Sequence, residues 1–166
     1  STHNITIQYA IADIATTNVT LSKTVVGQNY TLFLNVTVAN QGNYTENFNV
    51  TIYANTTAIA TFNNITLTSG NSTTIIFTWN TTGVAYGNYT ISAYATPIPD
   101  ETDTTDNTHI NGVVFITVPG DASGDGLVDV TDLSILGYYW FNLRGYDPRV
   151  DFNNDNFIDV SDFAIL

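Results

Sequence analysis

From Ile14 to Val118 apolar and polar residues alternate in short runs, separated by clusters of Gly, Asn and Ser. Tyr30, Leu32, Leu34, Val36 and Val38 take every second position, with Thr31, Asn35 and Thr37 between them. Phe48-Val50-Ile52-Ala54, Ile75-Phe77-Trp79, Tyr89-Ile91-Ala93-Ala95 and Val114-Ile116-Val118 repeat the arrangement, and weaker runs lie at 14–21, 58–62 and 65–67. Successive side chains of a strand point to opposite faces, so each run predicts a strand with one face on a core and one in water. Gln41-Gly42-Asn43, Ser69-Gly70-Asn71 and the stretch from Gly83 to Gly87 mark the turns between them. Seven or eight short strands so spaced predict a mainly β fold, an antiparallel sandwich of the immunoglobulin type. No helical period appears before Thr131.

Residues 1–12 extend the pattern upstream. Ile5, Ile7, Tyr9 and Ile11 alternate with Asn4, Thr6, Gln8 and Ala10, which predicts an additional strand. At about 3.3 Å per residue, ten such residues reach roughly 33 Å, the length of a sandwich. The strand has two candidate places: the edge of its own domain, or the open edge of a second copy by strand addition. The predicted units are therefore the extra strand (1–12), the sandwich (13–119) and a C-terminal module (120–166).

In that module the alternation stops and one twelve-residue pattern occurs twice. Oxygen-bearing side chains stand at positions 1, 3, 5, 9 and 12: Asp121, Ser123, Asp125, Asp129 and Asp132, then Asp151, Asn153, Asp155, Asp159 and Asp162. A hard cation such as Ca²⁺ takes six to eight oxygens, and this spacing wraps a loop around one. Leu127 and Phe157, at position 7, would each contribute a backbone carbonyl. Gly126 and Asn156 stand at position 6, where the loop needs a left-handed residue. Val128 and Ile158, at position 8, are expected to pair across the two loops. The expectation is two Ca²⁺ per chain.

Val118-Pro119-Gly120 and Asp147-Pro148 forbid a helix entering either loop, so each unit is loop then helix. That arrangement resembles a type I dockerin, the calcium module that docks onto cohesins. The resemblance covers residues 120–166 and implies the same ligands, with position 9 acting through water. It also places the partner-contacting pair at Val130-Thr131 and Val160-Ser161, where half of each pair is apolar. On the first helix Leu133, Leu136 and Trp140 share a face, but Tyr138-Tyr139-Trp140-Phe141 spans the whole circumference. Some of these rings are expected on the sandwich or on a neighbouring chain. The alternative is a fuller second helix than the one this chain carries.

The phrases "VTVANQG", "FNVTIYAN", "LTSGNSTTIIFTWNTTG", "GNYTISAYA" and "DETDTTDN" resemble CARDB domains of archaeal and bacterial surface proteins. The resemblance runs from about Asp13 to Val118. It implies a seven-stranded sandwich used for adhesion or as a spacer, often beside dockerin-like repeats.

Charge narrows the classes of partner. The net charge is −12, with only Lys23, Arg144 and Arg149 positive, so a run of phosphates cannot be neutralised and nucleic acid is excluded. The chain has no Cys and no Met, and Ser1 as first residue is expected of a mature secreted or surface protein freed of its signal peptide. No run approaches the length of a membrane span. N-x-[ST] occurs at Asn4, Asn18, Asn29, Asn35, Asn43, Asn49, Asn55, Asn64, Asn71, Asn80 and Asn88. Chance would give about four such sites in this Asn- and Thr-rich sandwich, so N-linked glycans are expected on several of them.

The remaining candidates read as structural. The acidic run from Asp100 to Asn107 lacks loop spacing and is expected to be a solvated loop. His3 and His109 have no partner at ligand spacing, and Trp79 reads as a core anchor. The carboxylates that could act as acid and base are almost all committed to loops without an open position, and no nucleophile constellation stands out, so no enzyme is expected. The sequence predicts an extracellular, glycosylated, calcium-stabilised structural or adhesion protein that assembles with copies of itself, by strand addition or module docking, into a surface layer or filament. The alternative is a dockerin-type binding module that tethers a secreted protein to a cohesin-like receptor.

Overall fold

The computed structural model describes residues 9–166. Among these, two sheets form a sandwich and a small loop–helix module follows. The strands are β1 (Ile14–Leu21), β2 (Val25–Gly27), β3 (Thr31–Asn40), β4 (Glu46–Ala54), β5 (Thr57–Leu67), β6 (Ser72–Asn80), β7 (Gly87–Ala95) and β8 (Thr108–Thr117). One sheet has three strands in the order β1-β3-β6; the other has five, β2-β8-β7-β4-β5. All pairings are antiparallel except β2 on β8.

The alternation read along the chain is the inward and outward pattern of these strands. In β3 Leu32, Leu34, Val36 and Val38 are buried, and in β4 Phe48, Val50, Ile52 and Ala54. They meet Val19, Ile91, Ala93, Val114 and Ile116 in one core. Trp79 anchors one end of it, buried and edge-on to Tyr89 with ring centroids 5.9 Å apart.

Several local features depart from the simple alternation. The weak runs at 58–62 and 65–67 belong to the single long strand β5, because Asn63 and Asn64 form a bulge opposite Asn49 and the pairing resumes beyond it. Asn64 takes the positive φ of 59° that the bulge requires, and Asn49 Oδ1 accepts its amide at 3.0 Å. A second bulge at Asn111 turns that side chain across the sandwich, where it donates to the carbonyl of Val19 on β1. The strand β2 has only three residues and pairs in parallel, so periodicity could not announce it.

Residues 1–8 of the expected N-terminal strand lie outside the described residues. Residues 9–13 form no regular strand. Their backbone is instead held by the turn after β3: Asn43 Oδ1 accepts from Ile11 N at 2.8 Å and Asn43 Nδ2 donates to the carbonyl of Tyr9 at 2.6 Å. Tyr9 and Ile11 are exposed here rather than lined up on the core. Polar bonds from one Asn side chain fix the path, and these are invisible to hydrophobic periodicity.

The C-terminal module holds α1 (Val130–Tyr139), a 3₁₀ turn (Trp140–Asn142) and the short α2 (Val160–Phe163). Ala122, Leu136, Val150, Phe152 and Ile158 form its own small core. The four aromatics do not reach the sandwich core. Trp140 packs on Phe163, Phe141 on Phe157, and Tyr138 lies edge-on to Tyr139 and beneath the Arg144 guanidinium, 5.1 Å from its carbon. The helix ends at Tyr139, and Phe141 and Asn142 take positive φ, so the chain doubles back and the rings fan over the module. Leu133 is exposed, leaving Leu136 to anchor the helix.

Candidate metal centre

The two twelve-residue loops share most of their hydrogen bonds, position for position. At position 1, Asp121 accepts the amides of Gly124 (2.6 Å), Asp125 (3.3 Å) and Gly126 (2.8 Å). Its counterpart Asp151 accepts those of Asp155 (3.1 Å) and Asn156 (2.9 Å). At position 5, Asp125 and Asp155 each accept the amide two residues on, both at 2.8 Å. At position 9, Asp129 and Asp159 are N-caps of α1 and α2, accepting from Thr131 N and Ser161 N at 2.7 Å.

Position 12 closes each loop. Asp132 takes the amides of Ala122 (3.0 Å) and Ser123 (2.9 Å) on one oxygen and that of Asp129 (2.8 Å) on the other. Asp162 does the same with Phe152 (2.8 Å) and Asp159 (3.0 Å). The carboxylate is at once the third residue of a capping box and the clasp of the loop. In each loop position 4 and position 6 have positive φ: Gly124 and Gly126 in the first, Asn154 and Asn156 in the second.

Asp121, Asp132, Asp151 and Asp162 are buried, Asp132, Asp151 and Asp162 completely. Asp125, Asp129, Asn153, Asp155 and Asp159 lie at or near the surface, as do the position-7 residues Leu127 and Phe157. Ser123 Oγ donates to Asp121 at 3.1 Å, and Asn153 Nδ2 donates to Asp155 at 2.9 Å. Among the described residues no group of three or more acidic or His side chains converges on one point. The expected pairing of Val128 with Ile158 is also not formed. Ile158 gives its carbonyl to Phe141 N at 2.8 Å and its amide to Asn142 Oδ1 at 3.2 Å, because the doubled-back 3₁₀ turn takes that place.

The donor set still fits a hard cation. Every candidate side chain offers oxygen and none offers sulfur or nitrogen as a ligand. Among the described residues the buried carboxylates of the loops have no ion-pair partner, and the one ion pair joins Arg149 to Asp147 outside both loops, at 2.7 Å. Burial pushes the Asp162 carboxyl up, and the nearby Asp151 adds to it. Burial acts the same way on Asp121, but hydrogen bonds from Thr117, Gly126, Gly124 and Ser123 outweigh it and hold that carboxyl below its ordinary range. Asp121 is thus held as an anion, the form a cation would meet.

Both loops are seated on the end of the sandwich that carries β2. Thr117 Oγ1 donates to Asp121 at 2.5 Å, and Asn154 Nδ2 donates to the carbonyl and hydroxyl of Thr31, both at 2.7 Å. Gly124 packs so closely on Val25 that a Cβ there would lie 3.2 Å from its methyl carbon. Lys23 is buried between the two units. Burial draws its ammonium down to about 8, and its Nζ donates to the carbonyl of Asp151. Sequence reading missed Lys23, and the only signal was its being the one lysine of the chain.

The sequon asparagines divide by their exposure. Asn18, Asn29, Asn35, Asn55, Asn64, Asn71, Asn80 and Asn88 are exposed. Asn43 and Asn49 are half-buried and engaged in the bonds described above, and Asn4 lies outside the described residues. The acidic run also departs from a solvated loop. Asn107 is fully buried, and Glu101 accepts from Ile14 N (2.9 Å), Ile98 N (2.9 Å) and Asn107 Nδ2 (3.2 Å).

Comparison with known proteins concerns the sandwich. The CARDB family model matches residues 6–111, beginning upstream of the Asp13 start read from the sequence. The CARDB domain of a Pyrococcus furiosus protein, solved by crystallography in complex with di-metal ions, is 23% identical with a TM-score of 0.53, over 68% of this chain and 99% of that domain. A solution structure of the same domain gives a TM-score of 0.52 at 23% identity, over 65% of this chain and 97% of that one. A domain from Methanosarcina acetivorans, described as part of a candidate cell surface protein, is 28% identical with a TM-score of 0.50, over 64% of this chain and 92% of that one. No match was found among curated proteins.

Proposed function

The chain belongs to the CARDB family of cell-adhesion-related surface domains, and from that premise we propose that it is an extracellular structural protein, stabilised by two Ca²⁺ and coated with glycans, that assembles with copies of itself. The observation that carries the assembly is the edge of the three-stranded sheet. β6 has nine residues, pairs among the described residues only with β3, and shows Ile76 71% exposed on its outer face. A long edge of this kind is a template for a strand from another chain. The alternating segment from Asn4 to Ile11 has the pattern to supply that strand.

In this reading the loops turn two domains into one stiff unit. Ca²⁺ in the first loop would be held by Asp121, Ser123, Asp125, the Leu127 carbonyl, Asp129 and Asp132. In the second it would be held by Asp151, Asn153, Asp155, the Phe157 carbonyl, Asp159 and Asp162. The cation would offset the mutual repulsion of four carboxylates per loop. Because Thr117, Lys23 and Asn154 bond the same loops to the sandwich, metal-dependent order in the loops is passed to that joint. The eight exposed sequon asparagines lie on the sandwich, where glycans would shield faces not used for contact. Among the described residues no helix is long and apolar enough to cross a membrane.

Negative-stain microscopy of native material with and without chelator tests the proposal. Filaments or sheets that disperse on chelation are expected; monodisperse particles in Ca²⁺ overturn it. One observation favours a second reading, docking onto a cohesin-like receptor. Val130 and Val160 are 72% and 66% exposed beside the exposed Thr131 and Ser161, at the two positions where dockerin resemblance puts the partner contact.

A further inference from the structure

The end of β8 remote from the calcium loops holds a second set of oxygens. Asp13 Oδ1, Asp106 Oδ1 and Asn107 Oδ1 are all buried and, among the described residues, all without a hydrogen-bond partner. The segments that carry them are stitched together. Gln41 N and Gly42 N donate to the Asp13 carbonyl at 2.8 and 3.0 Å, and Thr16 N donates to the Asp106 carbonyl at 2.9 Å. Gln41 Nε2 donates to Asp106 Oδ2 at 3.0 Å.

Asn107 separates this group from an ordinary acidic surface. It is fully buried, and its Nδ2 is fixed by Glu101 Oε1 and the Ala95 carbonyl, both at 3.2 Å. The carboxamide therefore sits within the acidic group with its nitrogen spent and its oxygen unspent. Both oxygens of Glu101 are already used, by Ile14, Asn107 and Ile98. What remains is acceptors only, with no donor among the described residues to meet them.

No lysine or arginine is free to fill the gap. Lys23 is bonded to Asp151, Arg149 to Asp147, and Arg144 lies over Tyr138. These three are all the lysines and arginines of the chain. Burial pushes the Asp13 carboxyl up, and the charges of Asp106, Asp103 and Glu101 add to it; burial and then Asp103 do the same to Asp106. Buried acceptor oxygens that no donor among the described residues meets are the surroundings a hard divalent ion relieves.

We propose that Asp13, Asp106 and Asn107 form a divalent-cation site in the sandwich itself, separate from the two loops. Its side-chain ligands are two carboxylates and one amide oxygen, with water completing the shell. Lower ligand charge than in the loops makes it a weak site, with a Kd of about 10⁻⁴–10⁻³ M, the range of extracellular modules. The ion would tie the start of β1 to the start of β8.

The test is a Ca²⁺ titration of the full chain followed by amide NMR shifts. In Asp121→Ala/Asp151→Ala, which silences the loops, the amides of Ile14, Gln41 and Thr108 should still shift and saturate. Asp106→Asn should weaken that response at least tenfold and leave the loop amides of Gly124 and Gly126 responsive; Asp13→Asn repeats the test should the first variant misfold. Absence of a saturable shift at Ile14 and Gln41, or an unchanged one in both Asn variants, overturns the site. The loop reading fails separately, if Gly124 and Gly126 do not respond in the unaltered chain.

Discussion

Lys23 Nζ donates to the backbone carbonyl of Asp151 at 2.8 Å, across 128 residues of chain. The only lysine is thereby buried at the joint between the sandwich and the first residue of the second loop. A buried carbonyl deprived of its donor costs about 1–3 kcal/mol. Lys23→Met keeps the length of the side chain but not the bond, and should lower unfolding free energy by about that amount in urea. Lys23→Arg, with a wider head group, should recover only part of it.

Leu136 is the one buried apolar side chain of α1, in a module whose core has few members. Leu136→Ala should cost about 2–5 kcal/mol. The loss should appear as early melting of the aromatic near-ultraviolet signal of Tyr138–Phe141, ahead of the strand signal. A single unchanged transition would mean that the module has no core of its own.

Glycopeptide mass spectrometry of native protein should find glycan among the exposed Asn18, Asn29, Asn35, Asn64, Asn80 and Asn88. Asn43 should be bare, because its Nδ2, the atom a glycan would replace a hydrogen on, donates to the Tyr9 carbonyl. Heavy occupancy at Asn43 would mean that residues 9–13 follow another path.

Deleting residues 1–11 should leave a folded monomer that cannot extend a filament but still caps a growing end, as read by light scattering. Full assembly of the truncated chain would rule out strand addition.

The sandwich was legible because burial in β3, β4 and β7 follows the strict period of two. β2 was not, since three residues paired in parallel leave no period, and neither were the bulges at Asn64 and Asn111, which depend on side chains bonding to backbone. In the loops the spacing gave the positions and the left-handed residues, but not the partner of Ile158, which a turn sixteen residues upstream decides. The joint through Lys23 and Asn154 was silent in the sequence, because its contacts are single polar atoms far apart in the chain. The buried Asn107 was hidden inside a run whose composition reads as solvent-exposed.

The central claim is that Ca²⁺ orders the loops and, through them, the joint. Hydrogen–deuterium exchange of the full chain, in Ca²⁺ and then in excess chelator, tests it most directly. The amides of Ala122, Gly124, Gly126, Phe152 and Asn156 should lose protection on chelation, while those of Leu34 and Ile52 in the sandwich stay protected. Equal protection of the loop amides in both conditions would contradict the account.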